Sequence, residues 1–148
     1  MADDQRQKRK IQVVEDDAMV RSFVSVLLDS EGYDVVEAED GRQMFDGLAQ
    51  GDVDLIVLDI MLPDGNGVDF ARRYRATNTT IPIVFATGVT DDDTKRRAAG
   101  LMQFHYVTKP FDADTLLERV SALFEASPVM QTPEDAQQTA RTIADKPP

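Results

Sequence analysis

Five short apolar segments alternate with five amphipathic segments along residues 11–127 of this 148-residue chain. The apolar segments have the length of buried strands, and the segments between them have the spacing of helices. Strands are expected at 11–14, 33–38, 55–58, 81–86 and 104–107, and helices at 19–28, 40–50, 68–76, 91–101 and 112–124. This alternation predicts an α/β domain whose parallel sheet is covered by helices on both faces.

The two ends of the chain differ from its middle. Residues 1–10 are polar, partly basic and aperiodic, which predicts a disordered leader. Residues 128–148 are rich in Pro, Gln, Thr and Ala, which is typical of a linker-like tail, with a short helix over 134–145 as an alternative. A single domain over residues 11–127 is therefore expected, long enough to bury a core.

Composition excludes several classes of function. The absence of Cys removes disulfides, thiolate zinc sites and cysteine nucleophiles, and the single histidine, His105, removes multi-histidine metal sites. The formal net charge of −11 argues against nucleic-acid binding by this domain and against docking on an anionic membrane. No apolar run is long enough to span a bilayer, and the N-terminus is polar, so a cytoplasmic protein is expected.

Polar side chains stand where four of the five predicted strands end and would form one set. In chain order they are Glu15, Asp16, Asp17, Asp59, Thr87 and Lys109. In a parallel α/β sheet the ligand site lies beyond the carboxyl ends of the strands. These carboxylates, the hydroxyl and the ammonium are therefore expected to meet at one edge of the sheet.

Several carboxylates in one pocket repel each other, so a divalent cation is their natural neutraliser. Oxygen ligands without His or Cys favour Mg²⁺ or Mn²⁺ over zinc. A carboxylate can attack phosphorus and become an acyl phosphate, and the cation, Lys109 and the Thr87 hydroxyl could each meet one phosphoryl oxygen. The Gly65 to Gly67 stretch lacks the Lys and Ser/Thr of a phosphate-binding loop. The sequence therefore favours a phosphoryl acceptor over an ATP-binding protein.

Four motifs resemble those of the receiver domain of two-component response regulators. They are VVEDD at 13–17, LDIMLPDG at 58–65, ATG at 86–88 and KPF at 109–111, each at the end of a predicted strand. The resemblance covers roughly residues 10–126. It implies a flavodoxin-like doubly wound (βα)5 fold, a five-stranded parallel sheet of order 2-1-3-4-5.

The resemblance also implies an acceptor and a metal site. Asp59 would be the phosphoacceptor and a metal ligand. Asp16 would bind Mg²⁺ directly, and Glu15 would bind it directly or through water. The backbone carbonyl of Met61 would be a further ligand, and Mn²⁺ would substitute for Mg²⁺.

The same resemblance implies a switch. Thr87 would bond a phosphoryl oxygen, Lys109 would pair with Asp59 and then with the phosphoryl group, and Tyr106 would be the rotating aromatic. Lys109-Pro110 is the bond that is typically cis in this family. The phosphodonor would be a histidine kinase or a histidine phosphotransfer protein, with acetyl phosphate as a small substitute. A downstream protein or a second copy would contact the fourth helix, fifth strand and fifth helix.

Several of these residues have simpler interpretations. Asp17 is favoured as a cap of the first helix rather than a metal ligand. Tyr106 has the alternative of a packed aromatic side chain, and His105 that of a plain strand residue. The basic run 95–97 is favoured as a solvated helix face over a partner contact.

Other functions and outputs remain open. A haloacid dehalogenase type of phosphatase also uses an Asp nucleophile after a strand, but it needs a second Asp where this chain has Met61. A pseudo-receiver would lack the acceptor, the acid pair or the lysine, and all three are present. The output alternatives are a protein contact by a stand-alone receiver, a phosphate shuttle or sink, and the receiver fragment of a longer DNA-binding regulator.

The residues near the predicted acceptor also bear on the lifetime of an acyl phosphate. Its hydrolysis requires a water molecule held in line with the phosphorus. Met61 and Val89, which follow Asp59 and Thr87, carry no charged or amide group to orient that water. The sequence therefore predicts a phosphorylated state that is long-lived for this family.

Overall fold

The computed structural model describes residues 8–78, 80–88, 92–101 and 104–126. Its strands are β1 (Lys10–Val14), β2 (Asp34–Ala38), β3 (Leu55–Asp59), β4 (Met61–Leu62), β5 (Gly65–Asn66), β6 (Ile83–Thr87) and β7 (Phe104–Thr108). Its helices are α1 (Ala18–Ser30), α2 (Gly41–Ala49), α3 (Gly67–Arg75), α4 (Asp92–Ala98) and α5 (Ala113–Ala126). Strands and helices alternate as the hydrophobic spacing predicts, apart from the short pair β4 and β5.

The main sheet has five strands in the order β2-β1-β3-β6-β7. Every neighbouring pair in it is parallel. Counted among the sheet strands alone, this is the order 2-1-3-4-5, so the predicted doubly wound fold is confirmed. The chain reverses its direction of winding between β1 and β3, and ligands of such sheets bind at that switch point.

Helices cover both faces of the sheet, and β3 shows how the sequence achieves this. Its residues are all buried and alternate between two hydrophobic cores, with Ile56 and Leu58 in one and Leu55 and Val57 in the other. The first core includes side chains of α2, α3 and α4, and the second includes side chains of α1 and α5. A strand buried on both faces is apolar throughout because neither set of side chains meets water.

The segment after β3, which the sequence predicts to be a loop, forms a small antiparallel ribbon. Met61 pairs with Asn66 and Leu62 with Gly65, so Pro63 and Asp64 form the turn. Two pairs of residues are too short to produce a periodic signal, and the turn residues dominate the pattern. The ribbon holds the residues after Asp59 in a defined path.

The predicted C-terminal boundary of the leader, residue 10, is wrong. Lys10 belongs to β1, and its backbone N–H donates to Asp54 Oδ2 at 2.8 Å. The Arg9 guanidinium lies 4.5 Å from the centre of the Phe124 ring. Lys10 is held through its backbone N–H and Arg9 through cation–π attraction. Neither residue has to be apolar for these contacts, so the apolar pattern does not predict them.

Some predictions lie outside the described residues. These are the remainder of the leader at residues 1–7, Val89, and the tail 128–148 with its alternative helix. Among the residues that the structure describes, no helix combines the length and the apolar character needed to cross a membrane.

Candidate functional site

Three carboxylates meet at the carboxyl ends of β1 and β3. One oxygen from each of Glu15, Asp16 and Asp59 lies within 4.8 Å of the others. Glu15 and Asp59 are only 4% and 6% exposed, whereas Asp16 is exposed. Because β1 and β3 are neighbours in the sheet, residues 44 positions apart in sequence become adjacent. The strand-end rule thus located the cluster correctly.

Lys109 reaches this cluster from the end of β7. Its Nζ lies 2.6 Å from Glu15 Oε1 and 3.3 Å from Asp59 Oδ2. Burial raises the pKa of Glu15, and the hydrogen bonds from Lys109 and from the Asp17 N–H oppose that rise without cancelling it. Burial lowers the pKa of Lys109, but its hydrogen bonds and charge attraction to Glu15 and Asp59 outweigh this and raise it. The ammonium is therefore a charged partner of two buried carboxylates.

Thr87 lies at the end of β6, between β3 and β7 in the sheet. It is fully buried, and its backbone oxygen accepts a hydrogen bond of 2.7 Å from the Lys109 N–H. The Lys109-Pro110 peptide bond is cis, as the resemblance implies. The three strand ends that carry Asp59, Thr87 and Lys109 are thus consecutive along the sheet.

The backbone around Asp59 is closely packed, and Gly67 makes this packing feasible. The Met61 N–H donates to Asp59 Oδ1 at 3.2 Å, and the Gly67 N–H donates to the Ile60 oxygen at 2.7 Å. A Cβ on Gly67 would lie 2.2 Å from the backbone oxygen of Asp59. Gly67 therefore lets the start of α3 approach the end of β3. The sequence analysis did not identify this role of Gly67; the cap residue Asn66 just before it is the signal that could have indicated a helix start there.

Asp17 is confirmed as the cap of α1. Its Oδ1 accepts hydrogen bonds from the N–H groups of Met19 and Val20 at 2.9 and 3.1 Å. Its own N–H donates to Glu15 Oε2 at 3.0 Å. Asp17 thus joins the acidic turn to the helix, with its carboxylate engaged at the helix terminus.

Two residues that the sequence analysis missed also hold the site. Arg21 Nη1 donates to the backbone oxygen of Glu15 at 2.7 Å. Asp64, in the turn of the ribbon, accepts hydrogen bonds from the backbone N–H groups of Gly41 and Arg42 at 2.9 and 3.0 Å. These bonds lower the pKa of the Asp64 carboxyl, the bond from Gly41 most strongly. Spacing gives no signal for such contacts, because each joins separate elements.

Tyr106 is packed into an aromatic group. Its ring centre lies 5.6 Å from that of Phe85 and 5.5 Å from that of Phe104. Its hydroxyl oxygen is buried and has no hydrogen-bond partner among the described residues, and burial raises the pKa of the phenol. Tyr106 is thus a packed aromatic side chain in this structure, and its role as a rotating switch stays a prediction. His105 lies beside it in β7.

The basic run on α4 is only partly solvated. The Arg96 side chain is 73% exposed, in keeping with the predicted solvated face. Arg97 instead contacts Asp69 of α3 at 2.6 Å and Asp93 at 2.8 Å. Arg97 therefore links α4 to α3 through an ion pair, which the run of charges alone does not predict.

The donor chemistry of the cluster fits a hard divalent cation. Its ligand atoms are carboxylate oxygens from Glu15, Asp16 and Asp59, and the backbone oxygen of Met61 follows in the chain. Neither His nor Cys belongs to this group. Mg²⁺ binds such oxygen sets and retains water molecules in the remaining positions.

Comparison with known proteins identifies the class of this fold and site. A model of the response regulator receiver domain matches residues 11–121, and the chain belongs to that family. The domain is a signalling switch of two-component systems rather than an enzyme that turns over a separate substrate.

The curated relatives match this chain over different shares of their own length. The regulatory protein VanRB of Enterococcus faecalis is 38% identical over 118 residues, which are 80% of this chain and 53% of VanRB. The CAI-1 autoinducer sensor kinase/phosphatase CqsS of Vibrio cholerae is 33% identical over 124 residues, which are 79% of this chain and 18% of CqsS. The chain thus spans about half the length, or less, of these curated relatives.

Solved structures share the fold over almost their whole length. The chemotaxis protein CheY4 of Vibrio cholerae has a TM-score of 0.72 and 28% identity, covering 78% of this chain and 98% of CheY4. The HemR receiver domain of Leptospira biflexa has a TM-score of 0.73 and 28% identity, covering 78% of this chain and 94% of that domain.

Proposed function

We infer that this receiver domain accepts a phosphoryl group on Asp59 in the presence of Mg²⁺. The observation that carries the inference is the meeting of Glu15, Asp16 and Asp59 within 4.8 Å, with the Lys109 ammonium 3.3 Å from Asp59. The three carboxylates and the Met61 carbonyl would hold the cation. Bound there, Mg²⁺ supplies positive charge that offsets repulsion between the carboxylates and an incoming phosphoryl group.

The transfer itself is a displacement at phosphorus. An oxygen of the Asp59 carboxylate forms a bond to phosphorus, and the bond from phosphorus to the donor atom breaks, leaving its electron pair on the donor. For a phosphohistidine donor that atom is an imidazole nitrogen. The product is an acyl phosphate, which water later hydrolyses to restore Asp59.

Lys109 and Thr87 are the proposed partners of the transferred group. The Lys109 ammonium is already shared between Glu15 and Asp59, so a small shift directs it toward a phosphoryl oxygen. The Thr87 hydroxyl belongs to the neighbouring strand end and would bond another oxygen. The phosphorylated conformation would then be selected by these two bonds, with Tyr106 held inward beside β6.

An exposed apolar patch beside the site supports docking of a protein phosphodonor. Met19, Phe23 and Val26 lie one helical turn apart on α1 and are 83%, 48% and 65% exposed. The Phe23 ring centre is 6.4 Å from that of Phe111, which follows the Lys109-Pro110 bond. Because α1 begins directly after Asp17 and Phe111 lies two residues after Lys109, a helical histidine kinase or histidine phosphotransfer protein is the occupant we assign to this patch.

The output surface is proposed to consist of α4, β7 and α5, which would contact a downstream protein or a second copy. VanRB is a regulatory protein and CqsS a sensor kinase/phosphatase, so related receiver domains occur with different outputs. A phosphate shuttle or sink, and the receiver portion of a longer DNA-binding regulator, are the alternative functions of the whole protein.

The test is intact mass spectrometry after incubation with acetyl phosphate, with and without Mg²⁺. We expect the wild type to gain one phosphoryl group only with Mg²⁺ and Asp59→Asn to gain none. Asp46→Asn, a charge-matched change at an exposed position of α2, should behave as the wild type. Phosphorylation of Asp59→Asn would contradict the assignment. If the wild type gains nothing, binding of beryllofluoride with Mg²⁺ separates a receiver that requires its own donor from a pseudo-receiver.

A further inference from the structure

Arg21 lies near the start of α1, behind the acidic turn. Its Nη1 donates to the backbone oxygen of Glu15 at 2.7 Å and lies 3.4 Å from that of Asp16. Its Nε lies 3.7 Å from Glu37 Oε1, and Glu37 Oε2 accepts a hydrogen bond of 2.6 Å from Ser25. The Arg21 side chain is only 14% exposed, so most of the guanidinium is removed from water.

The two carbonyl groups that Arg21 contacts lie beyond the end of a strand ladder. The pairing of β1 with β3 ends at Val14, and the Glu15 N–H still donates to the Ala38 oxygen at 3.0 Å. The backbone oxygens of Glu15 and Asp16 are the next acceptors along the chain, and Arg21 supplies their donor. Neighbouring strands supply the hydrogen-bond donors for the backbone oxygens of β1, and the Arg21 side chain supplies them for the two residues that follow.

We propose that Arg21 is a positioning residue for the divalent cation, acting through the backbone of Glu15 and Asp16. This inference rests on the proposed function. The directions of two successive carboxylates depend on the peptide between them, and Arg21 holds that peptide from behind. Glu37 of β2 contacts the guanidinium, and Ser25 of α1 donates a hydrogen bond to Glu37. A chain of contacts thus joins the proposed metal ligands to β2 and α1. Groups that hold metal ligands in this way commonly change metal affinity by about 10- to 100-fold when they are removed.

The sign of the effect separates positioning from simple electrostatics. A guanidinium close to a cation site repels the cation, so loss of the Arg21 charge alone would tighten Mg²⁺ binding. Loss of positioning has the opposite effect and weakens binding. Arg21→Lys adds a second distinction, because it keeps the charge but lacks the planar fork that spans two carbonyls and a carboxylate.

The experiment is calorimetric titration of the purified chain with MgCl₂, together with the melting temperature measured without metal. We expect the Mg²⁺ Kd of Arg21→Met to rise at least about tenfold and that of Arg21→Lys to rise by an intermediate factor. Arg96→Met removes the same charge from an exposed position on α4 and should leave the Kd unchanged. The Kd is measured on folded protein, below the melting temperature of each variant.

Three results would overturn the inference. A lower Kd in Arg21→Met would show that charge repulsion is the main effect of Arg21. A lower melting temperature with an unchanged Kd in both Arg21 variants would assign Arg21 to fold stability alone. A wild type that binds no Mg²⁺ would overturn the proposed metal site itself, and that result is distinct because it appears before any Arg21 variant is compared.

Discussion

The Lys109 ammonium lies closer to Glu15 than to Asp59. Its distance to Glu15 Oε1 is 2.6 Å, and its distance to Asp59 Oδ2 is 3.3 Å. Lys109 is therefore a counter-ion shared between the ends of β1 and β3, with the stronger bond to the glutamate. Removal of this one charge leaves two buried carboxylates facing each other.

Lys109→Met should destabilise the protein more in EDTA than in Mg²⁺. Loss of the ammonium removes hydrogen bonds to Glu15 and Asp59, at a cost of about 1–3 kcal/mol in the free energy of unfolding. A divalent cation restores positive charge among the same carboxylates and stabilises the native state that binds it. Urea unfolding under both conditions measures the difference. Lys95→Met on α4 is the control, and equal losses in EDTA and Mg²⁺ would contradict the prediction.

Gly67→Ala should lower both the stability and the rate of phosphorylation. The added Cβ would lie 2.2 Å from the backbone oxygen of Asp59 and 3.0 Å from the Ile60 Cα, so the end of β3 or α3 must move. Overpacking of this kind costs about 1–3 kcal/mol. Gly88→Ala is the matched control for stability, since a Cβ there meets no atom within 4 Å. Urea unfolding that shows equal stability for the two variants would count against the close approach.

Asp64→Ala should destabilise the protein by about 1 kcal/mol at neutral pH, as loss of a helix cap does. Because the folded pKa of Asp64 is lowered, its stabilising contribution is complete above the ordinary carboxyl pKa of 3.8. The contribution is lost as the pH falls through the lowered pKa. The gap in unfolding free energy between wild type and variant should therefore narrow below that value.

Urea unfolding at neutral pH and at pH values below the ordinary carboxyl pKa measures this gap. Asp46 is an exposed acid on α2, the helix whose first residues Asp64 contacts, so Asp46→Ala is the control for the charge change. A gap that stays constant across the two conditions would contradict a role for the ionised Asp64 carboxylate at the start of α2.

Met61→Gln should shorten the lifetime of the phosphorylated state several-fold. The Met61 side chain is 65% exposed and sits two residues after Asp59, so an amide there can orient a water molecule toward phosphorus. The wild type is expected to hold its phosphoryl group for minutes or longer. Both lifetimes are measured by removing the phosphodonor and following the loss of the phosphoryl group over time by intact mass spectrometry. Decay of the wild type within seconds would contradict the prediction.

The spacing of apolar residues was sufficient to predict a parallel sheet covered by helices on both faces, whereas the strand order was predicted from the resemblance to receiver domains. β3 and β6 are buried throughout, and a run of Val, Ile, Leu and Phe before the polar residue at the end of each identifies a strand between two helical layers. The boundaries were less accurate, as at Lys10, because backbone hydrogen bonds continue a strand after its apolar side chains end. The ribbon of β4 and β5 was missed because two residues per strand carry no measurable period.

Residue types at the predicted strand ends were enough to assign the main charged and hydroxyl groups of the site, but their pairing depends on how the elements pack. A parallel sheet brings strand ends together whatever the loops between them, so Glu15, Asp59, Thr87 and Lys109 could be assigned to one edge before any distance was known. Three contacts depend on differences of about an ångström in the distances between separate elements. They are the shorter contact of Lys109 with Glu15, the hydrogen bonds of Arg21 to the acidic turn, and the close approach of Gly67 to Asp59. Such differences arise only when helices and strands pack against each other, because no local pattern in the chain encodes the distance between side chains far apart in sequence.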